Sequence, residues 1–304
     1  MKTRDFALLL FVSSLFGAAF LFIRIATPSF GPFVLMDARV LLSAAVLALY
    51  ATVIGHRFAF KRRRKEWLIL GTLNAALPFP LIAYAELHIT ASLAAILIAT
   101  MPLFTSLAAA LMLKETLTPK KIGGILLGLL GVGVLSGLGP LDITPATVLA
   151  ILASLASACS YALAGVYAKR VFADTPVLTV TTGSMLSAGL VLLPVALATP
   201  PAVAPSSSAI LALVGLSLLS TVIAFVGFFR LIRTVGPTAT STAAYLIPLF
   251  GTLWGALFLA EPVNSGMFLA LLVILASIAL TTDLRLMGTG KRFLPKRSAI
   301  RLRG

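Results

Sequence analysis

Few residues in this chain can bind or move charge, and several of them lie inside apolar runs. Asp37 and Arg39 fall within the run 31–54. Ionisable side chains at such depth face the interior of a helix bundle or a water-filled cavity. Residues two apart on a helix point about 200° apart, so these two are not placed to pair, and each calls for a partner on another element. Arg39 is suited to attract a carboxylate or to lock the bundle. Asp37 suits a polar cavity wall or a structural pair. Glu86 and His88 end the third apolar run. A carboxyl and an imidazole there can carry protons for coupling, or stand in an exposed loop with ordinary titration.

Prolines add a second kind of chemistry. Inside a membrane helix, proline frees the carbonyl four residues earlier, which is tolerated only where protein, water or ligand satisfies it. Pro102 is expected to free Ile98 and Pro248 to free Ala244, giving a hinge and a polar notch in matching places. Pro78 and Pro80 would do the same to Asn74 and Ala76. A static kink satisfied by a neighbouring hydroxyl is the plainer alternative. Around these prolines stand Ser14, Asn74, Phe79, Tyr84, Thr100, Met101, Ser160, Tyr161, Ser220, Thr221 and Tyr245. Hydroxyls and ring faces suit a ligand with an apolar body and a few hydrogen-bonding groups, although small hydroxyls also hold membrane helices together.

Enzyme chemistry is poorly served. His56 and His88 are the only histidines, and no HExxH or GxSxG run is present. Cys159 is the single cysteine, which excludes an intramolecular disulfide and a cysteine metal cluster. No GxxxxGKS loop points to ATP, and no charged ring or filter-like segment points to a channel. No catalytic residue, cofactor or metal site is expected.

The elements that position these residues are membrane helices. The chain is 60% hydrophobic and 11% charged, with mean hydropathy +1.08, far from the roughly 25% charge of soluble domains. Apolar stretches long enough to span a bilayer occur at roughly 6–23, 31–54, 67–87, 90–113, 120–138, 145–168, 176–198, 208–229, 237–260 and 263–284. The first follows Lys2 and Arg4, so a signal peptide is the alternative there. With the N-terminus cytoplasmic, 22 of the 24 basic residues collect on the inner side, KRRRK at 61–65 among them, leaving Arg24 at an outer helix end and Arg39 within a span. That bias fixes the expected topology. Both termini and the 56–66 loop face in, and the loops near 88 and 142 face out. The net charge of +15 therefore suits anionic lipid headgroups, not nucleic acid.

The chain also repeats itself. PLFTSLAAALMLKE at 102–115 returns as PLFGTLWGALFLAE at 248–261, with 8 of 14 residues identical at an offset of 146. The copies fall in runs four and nine, so each half holds five helices. An odd-numbered repeat enters the membrane from opposite sides. The expected fold is an all-α integral membrane protein of ten transmembrane helices in two inverted five-helix repeats, at 1–138 and 139–287, with a basic cytoplasmic tail at 288–304. Such inverted repeats recur in transporters, with the substrate near midplane. Glu115 and Glu261 end the matching helices and are expected to bond neighbouring chain ends. Gly124 and Gly128 have the spacing for close helix contact, inside one chain or between two.

The residues that carry this pattern resemble the drug/metabolite transporter superfamily, in its ten-helix class with two EamA-type domains. They are FGAAFLFIRIATPSFGPFVLMDARVLLSA, AELHITASLAAILIATMPLFTSLAAALMLKETLTPKKIGGILLGLLGVGVL, SACSYALAGVYAKRV and AAYLIPLFGTLWGALFLAEPVNSGMFLALLVILASIAL. The resemblance spans about 6–285. It implies cytoplasmic termini, a central cavity lined mainly by helices 1, 3, 4, 6, 8 and 9, and export of amino acids or other metabolites across a bacterial inner membrane. Many members carry a tryptophan where this chain reads SSLFGAAF, and Gly183 and Met185 stand 146 residues after Asp37 and Arg39, so substrate identity does not come with the fold. Phosphorylated ligands call for paired basic groups, and only Arg39 lies well inside a span. The expected partners are membrane lipids and a neutral or zwitterionic small molecule, best an amino acid. A multidrug or other metabolite exporter is the second reading.

Overall fold

The computed structural model describes residues 2–58, 63–138, 144–201, 204–236, 240 and 242–281. Lys61, Arg62, the loop near 142, the start of the ninth apolar run at 237–239 and the tail 288–304 lie outside the described residues. Most of those described are helical, with no strand among them.

The helices are α1 (Thr3–Phe30), α2 (Pro32–Val53), α3 (Arg64–Gly71), a π-helical segment (Thr72–Ala76), α4 (Pro78–His88), α5 (Ala91–Ile98), α6 (Met101–Leu113) and α7 (Pro119–Leu138). After these come α8 (Pro145–Val171), α9 (Val177–Ala198), α10 (Ser207–Ser217), a second π-helical segment (Leu218–Ile223), α11 (Ala224–Val235), α12 (Ala243–Leu259) and α13 (Ser265–Thr281). Among the described residues, seven continuous rods are long and apolar enough to cross a membrane, counting 64–88, 91–113 and 207–235 as one rod each. Helix is the form such segments must take, because hydrocarbon offers no partner to an unpaired peptide group.

The burial pattern follows from an apolar solvent. Leu111, Leu197 and Leu211 are more than 70% exposed, while Ser13, Ser43, Ser154 and Ser157 are fully buried. Some buried hydroxyls close on their own helices, as Ser13 donates to the Leu9 carbonyl at 2.8 Å and Thr27 to Ile23 at 2.6 Å, and others cross between helices, as Ser43 donates to the Ser217 carbonyl at 3.2 Å. Between α1 and α2, Gly31 takes φ 73° and ψ 160°, a region closed to residues with a Cβ, and Pro32 then starts α2.

The sequence repeat extends into the backbone. The π segments begin at Thr72 and Leu218, again 146 apart. Lys114 and Ala260 are the non-glycine residues at positive φ among those described, at 56° and 52°. After each, a glutamate amide bonds back six residues, Glu115 to Ala109 at 3.3 Å and Glu261 to Gly255 at 3.2 Å.

Packing repeats in part. α2 lies on α9, and α7 on α13. α1 packs on α12 as α8 packs on α6, and α4 on α8 as α10 packs on α1. Gly17 and Gly251 bring α1 and α12 into backbone contact: a Cβ on Gly17 would sit 2.7 Å from the Phe250 Cβ and 2.8 Å from the Gly251 nitrogen. Gly128 and Gly131 similarly admit α13 side chains to α7. One relation is not repeated. α1 packs on α4 and α5, but α8 makes no comparable packing with α11.

Candidate functional site

Arg39 is the centre of the polar interior. Its guanidinium carbon lies 4.0 Å from the centroid of the Phe79 ring, and its Nε donates to Thr221 Oγ1 at 3.2 Å. Phe79 in turn meets Tyr161 at 6.1 Å between centroids. Four elements thus converge: α2 supplies Arg39, α4 Phe79, α8 Tyr161, and the second π segment Thr221. The side chain is 6% exposed. Over the ring face the guanidinium gains cation–π attraction, its Nη1 lies 3.9 Å from the Met36 sulfur, and its planar fork is the shape that meets a carboxylate.

The π segments shape these walls. The Leu77 amide bonds to Thr72 at 2.9 Å instead of to Leu73 as an α-helix requires. That slip releases the Leu73 carbonyl, and Ser160 Oγ of α8 takes it at 2.7 Å. Ser157 Oγ reaches the Pro78 carbonyl at 3.1 Å. In the second segment Thr221 Oγ1 returns a bond to Leu216 at 2.9 Å while accepting Arg39. π-bulges concentrate at functional sites because they turn side chains and carbonyls out of helical register.

Several expected residues stand elsewhere or serve the scaffold. Asn74 Nδ2 donates to Ser184 Oγ of α9 at 3.0 Å, and Ser160 is committed to Leu73. Ser14 gives its carbonyl to the Trp254 indole at 3.1 Å. Thr100 Oγ1 donates to Leu97 at 2.7 Å, and the Met101 carbonyl accepts Thr105 at 2.9 Å. Tyr84 and Tyr245 are half-buried against the main core. Asp37 is 6% exposed, but its Oδ1 has no partner among the described residues, so the expected bond from another span is not there for that oxygen. Pro102 also differs from expectation. The helix stops at Ile98 and restarts at Met101, so Pro102 occupies the first turn of α6, where proline's missing N–H removes no helical bond. Pro248 does lie inside a continuous helix.

Glu86 is the largest departure. Of the two positions left open for it, the exposed loop is not the one observed: it is buried, 1% exposed, while His88 is exposed with its ring tilted 59° to that of Tyr84 at 5.0 Å between centroids. Neither carboxylate oxygen of Glu86 has a partner among the described residues. Beside it, Glu261 clasps the start of α5. Its Oε1 accepts the Ala91 amide at 2.7 Å, and its Oε2 accepts the Ser92 amide at 2.9 Å and the Ser92 hydroxyl. Gly255 leaves the room, since a Cβ there would run into both Ser92 Oγ and Glu261 Oε2. Arg24 closes the same end from α1 by donating to the Glu86 and Ile89 carbonyls at the end of α4. The sequence holds one signal for this clasp: Thr90 is an N-cap, accepting the Leu93 amide at 3.2 Å, so ITAS marks a helix start whose open amides seek an anion. At the opposite end Glu115 meets Lys169 at 3.3 Å, both well exposed. No group of three or more His, Cys, Asp or Glu suited to a metal occurs among the described residues.

Long apolar rods around a buried core of hydroxyls, rings and a guanidinium define a multi-pass helical membrane protein. The model of the EamA-like transporter family matches residues 6–137 and again 148–283, and the chain belongs to that family. It is accordingly a membrane transporter of the drug/metabolite type. It is 28% identical over 272 residues to the uncharacterized inner membrane transporter YedA of Escherichia coli K12, covering 88% of this chain and 87% of the relative. It is 25% identical to the uncharacterized transporter YvbV of Bacillus subtilis 168 over 281 residues, 92% of each. Protein PecM of Dickeya dadantii 3937 is 25% identical over 231 residues, 75% of this chain and 76% of PecM. A protein of known crystal structure shares the fold at TM-score 0.66 and 22% identity, covering 93% of this chain and 97% of its own.

Proposed function

We propose that this transporter exports small zwitterionic metabolites, amino acids best of all, across an inner (plasma) membrane by alternating access. The carrying observation is Arg39, a guanidinium deep in the bundle, stacked on Phe79 and tied to Thr221. A carboxylate can meet its fork, Phe79 and Tyr161 can receive a side chain, and the carbonyl that Pro248 leaves without an amide at Ala244 can accept an ammonium. The match to YedA, described as an inner membrane transporter, supports the membrane assigned.

The architecture proposed is ten membrane helices in two inverted five-helix halves, 1–138 and 139–287, with both termini cytoplasmic. Support comes from the doubled family match, the π segments 146 apart and the paired positive-φ residues. Exchange of two shapes between such halves opens first one end and then the other. Glu86 and His88 are proposed proton carriers, and the break before Pro102 and the proline at 248 are proposed hinges.

Thermal unfolding of the detergent-purified protein against a panel of amino acids tests the substrate class. A bound amino acid raises Tm by mass action, and its amide or decarboxylated analogue does not. Stabilisation by cationic drugs alone would favour the multidrug reading.

A further inference from the structure

We propose that Glu86 is a proton-binding site whose occupancy governs closure of the end at which Glu261 docks on α5. Alternating access is presupposed; the identity of the substrate is not.

Among the described residues, no group bonds the Glu86 carboxylate. Arg24 approaches from α1, but it bonds the backbone carbonyls of Glu86 and Ile89. Arg39 on α2 is within electrostatic reach yet forms no ion pair with Glu86, and its Nε is held by Thr221. Glu261 is also within reach, carries the same charge, and has its own oxygens on Ala91 and Ser92. Tyr161 of α8 faces Arg39, and on α4 itself the His88 and Tyr84 rings meet at 5.0 Å, tilted 59°. Glu86 is 1% exposed with both oxygens unpartnered, so no ligand as large as an ammonium group reaches it in this state. A proton does.

An unpaired carboxylate anion buried this way costs several kcal/mol, and a second carboxylate nearby adds to the cost. Uptake of one proton from hydronium, making one O–H bond and releasing water, removes both penalties. When α1, α4, α5 and Glu261 separate, the carboxyl meets water and returns the proton by the reverse step. The closed end thus binds one proton more than the open end. Linkage then requires closure to strengthen as pH falls through the titration of Glu86, and to weaken as pH rises through it.

Spin labels at Leu87→Cys and Val263→Cys test this in the full chain in nanodiscs, in a Cys159→Ala background. Both sites are exposed at this end, at 38% and 47%. Between about pH 5 and about pH 9, the short-distance population should give way to a longer one, the ratio changing by at most about tenfold per pH unit for a single proton. Glu86→Gln, a neutral isostere, should hold the short distance throughout, and Glu86→Asp should keep the pH response with a moved midpoint. The size-exclusion profile and Tm of each variant report folding. Two populations that ignore pH, or a Gln variant that still follows it, would overturn the proposal and leave alternating access standing. A single distance in every sample, both here and for a Lys120→Cys/Thr234→Cys pair at the other end, would remove alternating access itself.

Discussion

Glu261 holds Ala91 across 170 residues of sequence, its Oε1 on the Ala91 amide at 2.7 Å. Its counterpart 146 residues earlier, Glu115, meets Lys169 at 3.3 Å on the bundle's surface. The same residue in the same backbone setting thus clasps a helix start at one end and, among the described residues, makes a solvent-exposed ion pair at the other, where 237 and 238, the positions that correspond to Ala91 and Ser92, lie outside the described residues. The difference matches the packing, since α1 lies on α4 and α5 while α8 lacks the like contact with α11. A carboxylate on open helix amides contributes about 1 kcal/mol, and an exposed ion pair about 0–1 kcal/mol. Glu261→Ala should therefore lower Tm clearly and Glu115→Ala little, measured by thermal unfolding in detergent. Equal losses would show that the two ends are equivalent.

Backbone strain gives a prediction of opposite sign. Ala260 sits at φ 52° and Lys114 at φ 56°, a region that costs a residue with a Cβ about 1–2 kcal/mol and glycine almost nothing. The gain is trimmed by glycine's looser unfolded chain. Ala260→Gly and Lys114→Gly should each stabilise by up to about 1 kcal/mol, read as a raised Tm without loss of transport.

Arg39→Lys keeps the charge but loses the planar fork, the stack on Phe79 and the Nε bond to Thr221. A lost hydrogen bond to a charged group is worth about 1.5–3 kcal/mol, so transport should fall about tenfold to a hundredfold, mainly through weaker apparent affinity. Initial rates at several substrate concentrations check this, and wild-type kinetics in the Lys variant would move the site elsewhere.

Orientation is testable with thiols. In a Cys159→Ala background, Lys120→Cys should resist a membrane-impermeant label in intact cells and Ala146→Cys should react. Both side chains are exposed. The reverse pattern would turn the molecule over.

Much of the scaffold was legible because membrane burial writes long apolar runs, and because PLF at 102 and 248 copies a whole segment. The depth of Arg39 was legible for the same reason, as was the pairing of Glu115 with Glu261. The π segments were not. TLNAA and LLSTVI share only a leucine, Leu73 and Leu219, at matching positions, since a slipped hydrogen bond needs only a partner for the released carbonyl, and Ser160, 87 residues away, provides it. Glu86 closes an apolar run, and that position alone leaves a proton carrier and an exposed loop residue both open. Its burial comes with the packing of α1, α2, α5 and α8 against α4, contacts that no local pattern encodes. Proline chemistry was read as a kink inside a helix, whereas at Pro102 the chain stops the helix and restarts it.

Counterflow in proteoliposomes tests the central claim most directly. Vesicles holding the full-length protein are loaded with one unlabelled amino acid and challenged with its labelled form, over a panel of side chains. Transient uptake above the equilibrium level is predicted for at least one amino acid, reduced at least tenfold in Arg39→Ala (about 1.4 kcal/mol of lost recognition) and absent for the amidated analogue. No overshoot with any amino acid, alongside overshoot with a cationic drug or a phosphorylated sugar, would contradict it.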